Sequence, residues 1–444
     1  MNGLRELIKG SVVLPGDPGW DAARRAWHLL VDQQPIAVVE AAGTDDIVAT
    51  VRYADEHGLA VMAQPTGHGA SPAVNGTILL RTGALTEIEL DLDAGIVRVG
   101  AGVRWRDLND ALTGTGLTSL PGSNGDTTVV GYTLGGGVGW FGRKYGQAAQ
   151  RVRSVRLVTS DGVIADVNQE SAPELFWALR GGGGDFGIVV SMELELMPAM
   201  ELQGGRMMWP FEQARDVLRA FAEITTYAPD ELSLWAWVLH FPDVPFVPDP
   251  VRGKSFVAVD GTFLGTPEDA DKLLAPLRAI ADPVSDQVAP IPLNLVGKIA
   301  EEPEDPTPGL LKTVLLSSFD DAAIDTLLAA AAPESPLFVF EVRHLDGAFA
   351  RPDESLGAAG VIEEPYLLLF GGIVADPALA PVIGGAIEAV QAKMAPWITG
   401  RVLPNFSTDE PNTELYPAAV HQRLVAIKQA VDPAGTIRSN HPVS

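Results

Sequence analysis

The chain of 444 residues contains no cysteine. Disulfides, thiolate nucleophiles, iron–sulfur clusters and cysteine-held zinc are excluded together. Histidine is scarce, with seven scattered residues and no HExxH pair, so no dedicated metal site is expected. Basic residues number 31 against 57 acidic ones, a formal net charge of −26. With no Lys/Arg-rich run, binding to nucleic acid or to anionic membranes is not expected. No apolar run reaches the roughly 18 residues of a membrane span, and Met1 to Val13 lacks a signal-peptide core. The expectation is a soluble, cytoplasmic protein.

What is present is apolar residue, 46% of the chain, and glycine. This length supports two or three domains. Ile36–Glu40 reads as a strand, and Thr44 as the cap of a helix with Asp45 and Asp46 in its first turn, where the helix dipole favours anions. Ile47, Val48, Val51 and Ala54 form its apolar stripe, and Gly58 suits its C′ position. A second strand, Leu59–Ala63, runs into the loop Gln64–Ala70. Short strands follow at Thr77–Leu80, Glu87–Leu90 and Ile96–Gly100, then a helix around Trp105, Leu108 and Leu112. A glycine-rich stretch covers 121–146, and Asp161-Gly162 signals a hairpin. After Met197-Pro198 the composition shifts. Helices (Glu212–Tyr227, Pro267–Ile280, Asp320–Ala332, Ala378–Lys393) alternate with strands (Leu232–His240, Ser255–Phe263, Phe338–Arg343, Tyr366–Val374), and a last helix covers Pro417–Ala430. The fold class is α+β.

Three loops combine dense glycine with few charges: Gln64–Ala70, Gly131–Gly139 and Gly181–Gly187. Glycine lets backbone approach a ligand closely, and successive N–H groups can converge on an anion. No Walker loop is present. Gly182-x-Gly184-x-x-Gly187 matches GxGxxG in letters, but it follows a helix and precedes a strand, the reverse of the dinucleotide fingerprint. Any one loop reads more readily as a set of tight turns, since a lone glycine motif is a weak signal. Three in one half of the chain favour a large phosphate-bearing cofactor, without saying which.

Gln64-Pro65-Thr66-Gly67-His68-Gly69 resembles the glycine–glycine–histidine loop of the FAD-linked oxidases of the berberine-bridge-enzyme-like group, within the vanillyl-alcohol-oxidase/p-cresol-methylhydroxylase (PCMH) superfamily. Val97–Gly102, Gly131–Trp140, Arg143–Gly146, Val158–Gly162, Leu175–Gly187, Phe340–Ala348, Asn405-Phe406 and Val425–His441 match the same family in order and spacing. The resemblance implies an FAD-binding domain in two parts, 1–200 (PCMH-type core about 31–199) and 401–444, around an inserted substrate domain, 201–400, of antiparallel sheet backed by helices. It implies FAD contacts at Pro65, Thr66, Gly67, His68, Gly69, Ser123, Gly131, Thr133, Gly136, Gly139, Val189 and Asn405. It also implies a covalent bond from His68 to the flavin; the alternative is a loop histidine that only hydrogen-bonds.

The chain departs from the family in places. Asn124 stands near the position of a second, cysteine-borne flavin bond, so any attachment is single. Leu403 stands where relatives often place a tyrosine, Gln150 replaces a usual aspartate, and Thr127-Thr128 replace a more usual Val-Gly pair. The catalytic base therefore does not carry over. Glu341 and Arg343 alternate onto one face of a predicted strand with His344 at its end, and Tyr366 lies on a neighbouring strand. A carboxylate or histidine there can accept a hydroxyl proton as hydride leaves; the alternative is an Arg–Glu pair bracing the sheet. Trp235 and Trp237 share a face, which suits core packing or a substrate-stacking wall. The expected function is an FAD-dependent oxidoreductase acting on a small alcohol, sugar or natural-product intermediate, with O2 as candidate electron acceptor. Rival readings are a structural FAD beside a non-redox cyclisation or isomerisation, and a non-enzymatic binding protein.

Overall fold

A computed structural model describes residues 1–443 except 200, 246, 282, 353–355 and 408–409. Residue 200, where the domain boundary is expected, lies outside those described.

Three sheets carry the fold. The first has strands β1 (Ser11–Val13), β2 (Ala37–Glu40), β3 (Val61–Ala63) and β4 (Ile78–Arg81), in the order β1-β2-β4-β3. β2 and β3 run parallel to β4, which helix Thr44–Glu56 makes possible by crossing over. Thr44 is not the cap: Gly43 holds that position without a side-chain bond. The carboxylate of Asp46 instead accepts from the Lys9, Gly10 and Ala42 N–H groups, which ties the N-terminal segment to the helix start. Gly58 adopts φ +63 just beyond the helix, as a C′ glycine does.

The second sheet is antiparallel: β5 (Ile88–Asp91), β6 (Ile96–Gly100), β7 (Val152–Val158), β8 (Ile164–Val167) and β9 (Ile188–Glu195), ordered β5-β6-β9-β7-β8. The glycine-rich stretch between β6 and β7 holds two short helices, Val129–Leu134 and Gly142–Tyr145.

The third sheet is antiparallel and larger. Its long strands are β10 (Leu202–Pro210), β11 (Leu232–His240), β12 (Ser255–Leu264), β13 (Gly309–Leu316), β14 (Val339–His344) and β15 (Tyr366–Ile373), ordered β10-β12-β11-β14-β15-β13, with two two-residue strands on the β10 edge. All nine residues of β11 are buried, so both faces are covered. Leu234, Ala236 and Val238 pack with Phe221, Ile324 and Ile387 of the helices Ala214–Thr225, Asp321–Ala330 and Ala380–Met394. Trp235, Trp237 and Leu239 point the other way, into the core shared with the first two sheets. This period-two division sets which side chains can meet in the site.

The C-terminal segment returns to the first sheet. Val61 N–H donates to the Thr436 carbonyl at 2.7 Å, and Arg438 N–H to the Val61 carbonyl at 2.9 Å. Lys428 Nζ donates to the Asp185 and Ile437 carbonyls, and the buried Asp185 carboxylate accepts from Ser439 N–H at 2.6 Å. The tail is thereby fixed against the third glycine loop.

Candidate active site

A cavity of about 590 Å³ lies between the glycine loops and the inner face of the third sheet. This is within the usual span for small-molecule and cofactor sites.

The loop after β3 forms one wall, with Pro65, Thr66, Gly67, His68 and Gly69 all lining the cavity. Gly67 has φ +86, and a Cβ there would meet the Ala26 Cα at 2.9 Å, so the turn that presents His68 requires glycine. The His68 ring stacks on Trp27, centroids 4.3 Å apart, and its Nδ1 lies 2.9 Å from the Thr66 hydroxyl. Its Nε2 is buried without a partner. Burial pushes the imidazole pKa down to about 4, with Asp126 opposing, so the ring is neutral at pH 7.

Ser123, Gly131, Val189 and Asn405 also line the cavity. Asn405 does more than face it: its Oδ1 accepts from Gly137 N–H at 2.7 Å and its Nδ2 donates to the Tyr132 carbonyl at 2.9 Å, clamping the second glycine loop. Thr133, Gly136 and Gly139 do not reach the wall. The helix Val129–Leu134 turns Gly131 and Leu134 towards the cavity and buries Thr133 on its other side. Gly136 and Gly139 are required by packing: a Cβ would lie 2.7 Å from Gln147 Oε1 at the first and 2.0 Å from the Pro121 carbonyl at the second.

Gly182, Gly183 and Gly184 line the cavity with bare backbone, where a Cβ on Gly183 or Gly184 would meet nothing nearer than 3.8 Å. Ser439, Asn440 and His441 close that end. The three glycines carry a sequence signal as the third loop. The tail residues carry none, since their place depends on bonds to Asp185, more than 250 positions away.

On the opposite wall Glu341 and Arg343 point into the cavity together. Arg343 Nε and Nη2 bond the two oxygens of Glu341, the second at 3.1 Å, and its guanidinium lies 3.9 Å over the Trp235 ring. Trp235 stacks on Trp140 at 3.5 Å, while Trp237 lines the cavity. The pair thus divides between packing and wall. Burial pushes Glu341 up to about 7, against the Arg343 charge. Arg206, absent from the expected set, lines the wall beside Trp237 and bonds Asp260 through two N–H groups at 2.6 and 2.8 Å.

His344 and Tyr366 are not brought to this cavity. Strand alternation puts them on the helix face, opposite each other in register. The His344 Nε2 accepts from Arg143 Nη1 at 2.9 Å, and the Tyr366 hydroxyl lies 2.6 Å from that of Thr225. Their candidacy as catalytic groups is corrected by this placement: an even-numbered position on β14 cannot share the face of Glu341 and Arg343.

The chemistry of the walls suits a flavin nucleotide. Bare backbone at Gly182–Gly184, the hydroxyls of Ser123 and Ser439, and the neutral imidazole of His68 border one continuous space. Among the described residues no three His, Asp or Glu side chains gather as a metal site, and no helix is long and apolar enough to cross a membrane.

Comparison with known proteins agrees with this geometry. Residues 35–168 match the FAD binding domain family. The (R)-6-hydroxynicotine oxidase of Paenarthrobacter nicotinovorans is 27% identical over 98% of this chain and 97% of its own length. Among solved structures, BBE-like 1 of Physcomitrella patens superposes with TM-score 0.86 at 19% identity, covering 100% of this chain and 98% of its own. The 6-hydroxy-D-nicotine oxidase of Arthrobacter nicotinovorans gives 0.84 at 23% identity, covering 98% of each chain.

Fold, glycine walls and sequence matches together define an FAD-dependent oxidoreductase with PCMH-type architecture. Its fold is similar to that of the berberine-bridge-enzyme-like flavoproteins.

Proposed function

We propose that the protein takes hydride from a small organic substrate, with Glu341 as the proton acceptor and His68 as a single covalent tether for FAD. In this reading residues 1–200 and 401–444 form the flavin-binding unit, and 201–400 the substrate unit. FAD supplies the two-electron acceptor when bound, and O2 is the candidate that reoxidises it.

The observation that carries the reading is a buried carboxylate on the inner sheet face. Glu341 is 1% exposed and held near neutrality, close to the working range of a general base. Arg343 holds its orientation through two bonds, and Trp235 and Phe406 pack on that guanidinium at 3.9 and 5.2 Å, which keeps water from the pair. Trp237, Leu239, Phe241 and Leu369 give the apolar wall on which a substrate packs.

The charge balance narrows the substrate. Glu301, Glu302, Glu341 and the Asp260 behind Arg206 gather around Arg206 and Arg343, and Arg438 also lines the cavity, so four carboxylates stand against three guanidinium groups. That excess of negative charge favours a neutral or basic substrate, an alcohol, sugar or amine, over a carboxylate. The relatives named as a hydroxynicotine oxidase and a chitooligosaccharide oxidase are consistent with small organic substrates.

The test is anaerobic mixing of the FAD-loaded protein with a panel of alcohols, sugars and amines. Bleaching of the visible flavin band by a turned-over compound supports the reading. Turnover without bleaching contradicts it and favours a structural flavin beside non-redox chemistry.

A further inference from the structure

We infer that the substrate is amphiphilic, with its oxidisable polar head at Glu341 and an alkyl or aryl tail running along the inner sheet face to Leu311 and Ile373. This names the substrate class for the proposed hydride transfer and rests on the head lying at Glu341.

The register of the third sheet sorts its inner face into cross-strand rows. One row holds Trp237, Glu341 and Leu369. The next row on one side holds Arg206, Asp260, Trp235 and Arg343. Glu301 and Glu302 pair with the two arginines of that row, so the charge gathers at that end. The next row on the other side holds Leu239, Val339, Gly371 and Leu311, and Ile373 follows diagonally beyond Leu311. None of these five carries a side chain with a charge or a hydrogen-bonding group. Leu239, Val339, Leu311 and Ile373 line the cavity together with Phe241. Leu311 faces it because its neighbour Leu310 packs with the helix core on the far side.

A molecule with its head at Glu341 has two directions in which to extend. Towards Arg343 the space is filled: that guanidinium bonds Glu341 and is covered by Trp235 and Phe406. Towards Leu239 the cavity continues. Exposure rises along this direction, from the buried Glu341, Leu239 and Val339 to 40% at Leu311 and 39% at Ile373. The cavity therefore meets solvent past two large apolar side chains. Ile373 lies four residues along β15 from Leu369, the cross-strand neighbour of Glu341, a span of about 13 Å at the usual strand rise. A tail laid over that span takes apolar surface out of water along its length. An unmodified sugar makes no such gain, since its hydroxyls would lose water to a wall that offers no partners. The glycine loops form the facing wall, which leaves the sheet face to the substrate.

The experiment titrates tertiary alkyl alcohols of increasing chain length into the FAD-loaded protein by calorimetry. These carry no hydrogen on the carbinol carbon, so they bind without giving up hydride. Kd is expected to fall about three- to fourfold per added methylene, the factor that about 0.8 kcal/mol per buried CH2 gives, and to level once the tail passes Ile373. The heat-capacity change should grow more negative over the same members. Leu311→Asn and Ile373→Asn are expected to weaken the longest members about tenfold, and the shortest, which does not reach them, by less than about twofold. A Kd independent of chain length overturns the inference, and so does a full slope kept in both variants. If an asparagine variant does not fold, Leu311→Ala and Ile373→Ala carry the same test. Matching primary alcohols and amines, mixed anaerobically, test the hydride transfer itself. Chain-length dependence without bleaching keeps the tail site and removes the hydride transfer; bleaching without chain-length dependence does the reverse.

Discussion

Glu341 and Arg343, two residues apart on one strand, face the same cavity and bond each other through both carboxylate oxygens, on a sheet whose far side is packed by helices. The carboxylate is pushed up to about 7 by burial, which the guanidinium only partly offsets. A general base must be deprotonated, so kcat/KM is expected to rise with pH through about 7 and then level. Glu341→Gln should lower kcat by about 100-fold or more and remove that rise, while flavin colour is retained. An unchanged pH profile in the variant contradicts the assignment.

His344 sits one residue beyond Arg343 but on the other face, accepting a hydrogen bond from Arg143. His344→Gln is expected to keep kcat within a few-fold. Its effect lies in acid stability. Burial, assisted by the Arg143 charge, lowers the His344 pKa to about 4 in the folded protein. The unfolded chain binds the proton near 6.5, so this stability is present above that pH and is lost as pH falls towards 4. Wild type should lose about 3 kcal/mol more than His344→Gln over that interval, measured by denaturant unfolding at each pH.

Arg206 and Asp260 form a buried pair at 7% and 0% side-chain exposure. Removing one partner strands the other charge. Arg206→Met is expected to destabilise by about 3–5 kcal/mol at pH 7.5. Arg206 holds the buried Asp260 carboxyl down to about 6, so without it the carboxyl protonates at higher pH than in wild type, and the penalty shrinks as pH falls. Chemical denaturation at pH 7.5 and below checks both statements.

Asn405 holds Gly137 N–H and the Tyr132 carbonyl at once. Asn405→Ala leaves both backbone groups without that partner and frees the loop whose Gly131 and Gly135 line the cavity. FAD affinity should fall about 10- to 100-fold, read by titrating flavin into protein freed of cofactor in a His68→Ala background, where no tether masks the loss.

Much of this was legible in the sequence because local signals and tertiary roles coincide. The apolar stripe of Thr44–Glu56, the turn at Gly162 and the alternation in β11 each state their own conformation. β10 and β13 carry weaker signals: Gly204-Gly205-Arg206 interrupts one, and Lys312-Thr313 breaks the apolar residues of the other just after a proline-rich loop. In the site, the His68 loop and the Glu341–Arg343 face follow from motif and period two. The same period excludes His344, which sequence proximity alone had kept in view. Glycine density did not separate roles. Gly183 and Gly184 border the cavity, while Gly136 and Gly139 are small because Gln147 and Pro121 crowd them. The tail residues Ser439–His441 reach the site through bonds that no local pattern encodes.

The most direct measurement is the visible spectrum of the purified, FAD-supplied protein before and after acid precipitation, run beside His68→Ala. The account predicts a yellow protein whose colour stays with the wild-type precipitate and moves to the supernatant in the variant. A wild type that stays colourless, or a variant precipitate that stays yellow, contradicts it.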